Sequence, residues 1–164
     1  MQGVVIQVSV SAGGIPKRAI PEARLTRLGL EGDACTHSSI HGGPLQAVLL
    51  ISAETVDELI ALGYPLFYGA LGENLTTQGL DRTLMRPGQR YRVGDAVIEL
   101  TTLRQPCRTL NVYGRGLQQE LFDQQVKAGD PSSPRWGMGG FYASVVQPGR
   151  VSPGAPILLL EQAV

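Results

Sequence analysis

The sequence predicts a mostly β domain of the α+β class: a barrel or strongly curled sheet with short helices at its periphery. Three observations carry this. Runs that alternate apolar and polar residues, or that are rich in β-branched ones, recur along the whole chain. Only two segments show helical spacing, and they do not alternate regularly with strands, which argues against a Rossmann-like sheet. Finally, 21 glycines and 11 prolines punctuate the chain so often that its elements must be short.

Taken in order, the strand signals are GVVIQVSV (3–10), ARLTRLGL (23–30), QAVLLIS (46–52), RYRVG (90–94), AVIELTTL (96–103), GFYASVVQ (140–147) and APILLLE (155–161). Ser52 is placed to cap a helix over AETVDELIALG, which has acidic residues early and closes on Gly63. A second helix is expected over GLQQELFDQQVKAG (116–129), with Leu117, Leu121, Phe122 and Val126 on one face. The segment AGDPSSPRWGMGG (128–140), rich in Gly, Pro and Ser, is expected to be the most mobile.

A length of 164 residues gives one domain, 1–164, with no room for a second core of normal size. With 14 basic residues against 14 acidic ones, nothing pulls the chain toward nucleic acid or an anionic membrane. Aromatics are only 5% of the residues and no basic cluster accompanies them, which further disfavours a nucleic-acid surface. Lys17 and Lys127 are the only lysines, so arginine carries most of the positive charge and suits a small anionic ligand. No stretch is long and apolar enough to cross a bilayer, and MQGVVIQVSV lacks the charged start of a signal peptide. The 2 cysteines, without a secretion signal, point to free thiols in a reducing cytoplasm rather than to a Cys35–Cys107 disulfide.

Three stretches carry candidate chemistry. In TTLRQPCRTLN (101–111), Pro106 ends a strand and PCRTL reads as the first turn of a helix, with Cys107 just inside it. A thiol there feels the positive helix end and the charges of Arg104 and Arg108, which favour the thiolate that binds metals and attacks sulfur or carbon. The bland alternative is a buried cysteine that fills space.

GLEGDACTHSSIHGGPLQAV (29–48) holds both histidines, His37 and His41, with Asp33 and Cys35 just before them. A zinc site is one reading, with Cys107 or Asp33 as fourth ligand, although the spacing matches no standard zinc pattern; a polar loop is the other. Its glycine pair, Gly42 and Gly43, demands positive φ or close backbone approach. GALGENLTTQGLD (69–81) offers the backbone donors of Gly72, Glu73 and Asn74, the Asn74 amide, and the hydroxyls of Thr76 and Thr77; such a loop holds an anion or a heterocycle edge, or is a satisfied turn. GxGxxG and the Walker pattern are absent, and no Ser-His-Asp or paired-carboxylate arrangement stands out.

In this order GGIPK, GLEGD…HGGP…AV, GENLTTQGLD and PGQRYRVGDAVIELT…PC resemble the MOSC domain, named after the C-terminal part of molybdenum cofactor sulfurase. The resemblance runs from about residue 9 to about residue 160. It implies a MOSC-type β-barrel-like fold with short peripheral helices, as in stand-alone bacterial-type members of the family. It also implies one important cysteine, Cys107, which carries sulfur or ligates the molybdenum of a pterin cofactor (molybdopterin). Arg104, Arg108, His41, Gly42, Gly43, Gly72, Glu73, Asn74 and Thr76 are then the expected cofactor-binding residues. Some relatives reduce N-hydroxylated compounds such as amidoximes.

The chain departs from the family in three places. Thr102 and Leu103 stand where relatives often carry Gln-Pro, and Cys35 stands where many carry histidine. No electron-carrier or aminotransferase-like domain is expected from these 164 residues, so no pyridoxal phosphate site is expected either, and electrons or sulfur are expected to come from a donor protein. Two readings follow: a reductase acting on a small-molecule substrate, or a non-catalytic carrier of sulfur or cofactor through Cys107. A relative that has lost the cofactor is the third.

Overall fold

The computed structural model describes residues 1–34 and 42–161. Eleven strands account for most of its regular structure: β1 (Gln2–Val10), β2 (Arg18–Ile20), β3 (Ala23–Thr26), β4 (Gly29–Leu30), β5 (Val48–Ser52), β6 (Leu75–Gln78), β7 (Arg90–Val93), β8 (Ala96–Leu103), β9 (Phe141–Gln147), β10 (Gly149–Val151) and β11 (Pro156–Glu161). Three short helices join them: α1 (Ala53–Ala61), α2 (Leu117–Leu121) and α3 (Gln124–Lys127).

Seven strands close into a barrel, because β1 pairs β11 through its first residues and β6 through its middle. Round the ring the order is β11-β7-β8-β9-β5-β6-β1, with β2 added beside the end of β1; β10, β3 and β4 form a separate small sheet. Only β5–β6 is parallel among the barrel pairings, and α1 bridges those two strands in sequence, as a parallel pair requires.

Strand β5 shows how the pattern sets the layers. Leu50 joins the barrel core with Val5, Leu75, Ile98 and Phe141, while its neighbours Leu49 and Ile51 face outward. There they meet a second apolar cluster with Leu59 of α1 and Leu117 and Leu121 of α2. Both faces of β5 are therefore buried, which is why VLLIS reads as a continuous apolar run rather than an alternation. The candidate site lies beside this second layer.

The local expectations hold unevenly. Ser52 caps α1 by accepting the Thr55 amide at 3.2 Å. The segment 23–30 is two strands joined by a turn, with the Thr26 hydroxyl donating to the carbonyl of Gly29 at 2.8 Å. The expected helix over 116–129 is broken at Phe122, which is extended. Asp123 then accepts the Val126 amide at 2.8 Å and starts α3; its carboxylate competes with the helix for backbone donors.

The segment expected to be mobile is instead packed. Trp136 and Met138 are buried, and the Arg82 guanidinium donates to the carbonyls of Trp136 and Pro134. Strands β2, β6 and β10 were not anticipated from the sequence. Among the described residues, no helix is long and apolar enough to cross a membrane.

Candidate functional site

The end of β8 delivers the residues around Cys107. Beyond Leu103 the chain leaves the ladder, and the Arg104 amide donates to the carbonyl of Gly140 at 2.9 Å. Cys107 is the cap residue of a 3-10 turn over Arg108–Tyr113, with φ −108° and ψ 172°. It therefore sits just before the helical turn rather than just inside it, and the turn is 3-10 rather than α. Its thiol is free and half-buried, and Sγ shares a 2.8 Å hydrogen bond with Thr109 Oγ1.

Cys107 faces a cavity of about 210 Å³. Arg104, 6% exposed, lines the same cavity. Its guanidinium donates to the Leu71 carbonyl at 2.7 Å and, weakly, to that of Gly139 at 3.5 Å. Neither acceptor is charged, and among the described residues no carboxylate lies within ion-pair distance of Arg104. Burial lowers its affinity for the proton, while the nearby Tyr142, Cys107 and Glu73 raise it. Arginine stays charged under such pressure, so the cavity wall carries a buried positive charge that seeks an anion.

A second part of the cavity lining is differently built. Lys17 Nζ donates to Asp33 Oδ1 at 2.6 Å and Oδ2 at 2.7 Å, the two side chains being 13% and 15% exposed. Asp33 Oδ1 also accepts the Ser11 amide at 2.9 Å, and Oδ2 the Asn74 amide group at 2.8 Å. All four good acceptor positions of this carboxylate are thus filled by the protein. Asn74 is itself held by the Leu49 amide, which donates to Oδ1 at 3.0 Å. Lys17, Asp33 and Asn74 all line the cavity.

The turn before Asn74 is held from within. Glu73, 0% exposed, accepts the Gly69 amide at 2.6 Å and the Thr76 hydroxyl at 3.3 Å on Oε1, while Oε2 has no partner. Burial pushes its carboxyl above the ordinary range, against the lowering by the Gly69 amide. Gly69 (φ 99°) is obligatory here, since a Cβ would stand 2.2 Å from the Lys17 carbonyl oxygen.

Of the residues singled out in the sequence, Cys107, Arg104, Gly42, Gly72 and Asn74 line this cavity. Glu73 and Thr76 are buried but do not line it, and Arg108 and Gly43 are exposed away from it. Gly42 and Gly43 take φ 89° and 83°, the positive values their pairing demands. Cys35, His37 and His41 lie outside the described residues; among those described, no cluster of three or more His, Cys, Asp or Glu is placed to hold a metal. Lys17, Thr109 and Tyr142, which also line the cavity, were missed as site residues, and Asp33 entered only as a candidate zinc ligand. Lys17 and Asp33 are 16 positions apart, and only the fold shows them as a pair.

Comparison with known proteins agrees with this architecture. The MOSC domain model matches residues 37–158. Bacillus subtilis YflK is 37% identical over 153 residues, covering 91% of this chain and 64% of YflK. Escherichia coli YiiM is 33% identical over 149 residues, covering 86% of this chain and 60% of YiiM. The chain thus spans less than two thirds of the length of these relatives. The crystal structure of Escherichia coli YiiM superposes with a TM-score of 0.71 at 29% identity, over 99% of this chain and 71% of that one. YiiM from Geobacillus stearothermophilus shares the fold, with a TM-score of 0.72 at 23% identity over 99% of this chain and 77% of the other. On this match and these relatives, the chain belongs to the MOSC domain family.

Proposed function

We propose that the cavity beside Cys107 holds a molybdenum cofactor, with Cys107 Sγ directed to the metal and the pterin's anionic part drawn to Arg104. One observation carries this reading: a free thiol and a buried guanidinium without an ion-pair partner face the same cavity. The donor chemistry fits the group. Thiolate is a soft ligand, and a desolvated arginine is a strong partner for phosphate oxygens. Lys17, fixed by Asp33, adds an ammonium to the same cavity lining, while the Asn74 amide group is spent on Ser9, Asp33 and Leu49.

A bound molybdenum centre supplies oxygen-atom removal and two-electron chemistry. This chain's residues bind and orient. Thr109 holds the sulfur by its hydroxyl, Arg104 compensates negative charge, and the apolar walls formed by Leu49, Leu71 and Ile15 limit water. The reaction class is reduction of an N-hydroxylated compound: the N–O bond breaks, two electrons and two protons enter, and the oxygen leaves as water. The electrons come from a donor protein.

The half-buried position of Cys107 supports a second reading, a carrier that passes sulfur or cofactor to a partner without turnover. Loaded protein given an amidoxime and a chemical reductant separates the two. Amidine formation that disappears in Cys107→Ser supports the reductase. Its absence, with transfer of sulfur or cofactor to an apo-enzyme acceptor, supports the carrier. If neither reaction occurs and no cofactor is retained, both readings fail.

A further inference from the structure

A second concavity lies on the other side of the segment that presents Cys107. Thr102, Leu103 and Gln105 face this open groove of about 680 Å³, whereas Arg104 and Cys107 face the first cavity. Ligand pockets run to roughly 300–1,000 Å³. The groove carries two cations, Arg86 and Lys127, and no carboxylate lines it. Lys127 is exposed at the end of α3, and its ammonium makes no hydrogen bond or ion pair with the described residues.

Arg86 is held in place rather than neutralised. Its Nη1 donates to the carbonyls of Thr83 at 2.6 Å and Met85 at 2.8 Å, and the guanidinium lies over the Trp136 ring at 5.2 Å. Trp136 is itself fixed by its indole N–H, which donates to the Met85 carbonyl at 2.9 Å. Nη2 and Nε of Arg86 keep their donors for another group. Half-buried Phe122 and Leu103 supply apolar wall beside these charges.

We propose that this groove is a second ligand site, for a small aromatic oxyanion. The oxyanion is received by Arg86 and Lys127, and the planar body packs on Phe122 and Leu103. The site is independent of whatever occupies the Cys107 cavity. An occupant would nevertheless touch the same short segment, 102–105, that aims Arg104.

Trp136 is the only tryptophan of the chain, so its fluorescence reports this groove directly. Phenyl phosphate is titrated into the full chain, with inorganic phosphate and phenol as separate controls. Saturable change in the Trp136 signal is expected with phenyl phosphate alone, weakened by salt, and weakened about tenfold or more in Lys127→Glu and in Arg86→Gln. Cys107→Ser should bind like the wild type. Absence of saturable change, equal binding by Lys127→Glu, or an equal response to inorganic phosphate overturns the proposal. Loss of binding in Cys107→Ser would move the ligand to the first cavity and overturn it as well.

Discussion

The two walls of the Cys107 cavity follow opposite rules. On the Asp33 wall every acceptor position of the carboxylate is occupied, and the ammonium of Lys17 is matched by a neighbouring charge. On the Arg104 wall a buried guanidinium hydrogen-bonds only to carbonyl oxygens, with Tyr142, Cys107 and Glu73 near enough to favour its charged form, and the thiol of Cys107 hydrogen-bonds only to a hydroxyl. A satisfied network stabilises the fold and fixes geometry. A buried charge without an ion-pair partner, beside a free thiol, costs stability and is the place where a ligand gains most. The first wall therefore does mainly structural work, and the second is where the proposed ligand chemistry would lie.

Substitutions can break this contrast, and the largest stability effect belongs to the satisfied wall. Asp33→Ala leaves Lys17, Asn74 and the Ser11 amide without their acceptor, and should cost about 2–4 kcal/mol. Thermal or urea unfolding measures this, and a change below about 0.5 kcal/mol would mean that the network is incidental.

Arg104→Met should act mainly on binding. Two carbonyls lose a donor, but a desolvated charge also disappears, so stability should change by less than about 2 kcal/mol while cofactor retention falls. Arg104→Lys should not restore retention, because an ammonium cannot reach two carbonyls and a ligand as a fork does. Full retention in either variant would remove Arg104 from the site.

Glu73 gives a pH test. Its folded value is raised above the ordinary 4.5, so its contribution to stability is present below that value and lost as pH rises through the raised one. Glu73→Gln keeps an acceptor for the Gly69 amide and cannot ionise. It should equal or exceed wild-type stability near about pH 8, and that advantage should vanish near about pH 4. Parallel stability curves for the two proteins would contradict the burial of an ionisable group at this point. Smallest of all should be the stability effect of Cys107→Ser, within about 1 kcal/mol, because the thiol is only half-buried and a hydroxyl can keep the hydrogen bond to Thr109.

Much of the barrel was legible because its strands alternate or run apolar between glycines and prolines. Strand β6 was not. LTTQ follows the GEN turn and reads as a polar loop, yet Leu75, Thr76 and Thr77 are buried between β5 and β1, their threonines tolerated by pairing on both sides. The α2–α3 break was hidden because Asp123 continues the helical spacing while its side chain captures the next turn's amide. At the site, Cys107 and Arg104 stood out from their local chemistry. The Lys17–Asp33–Asn74 network did not, since it joins segments 16 and 41 positions apart and no local pattern encodes such a meeting.

On the proposed reading the Arg104–Cys107 wall holds molybdenum through the thiol. Elemental analysis of protein purified without air, from a host that makes the molybdenum cofactor, tests it most directly in wild type and in Cys107→Ser. Near-stoichiometric molybdenum is expected in the wild type, and its loss in a variant that still folds. Wild-type protein without molybdenum, or a variant that retains it fully, would remove the metal from Cys107.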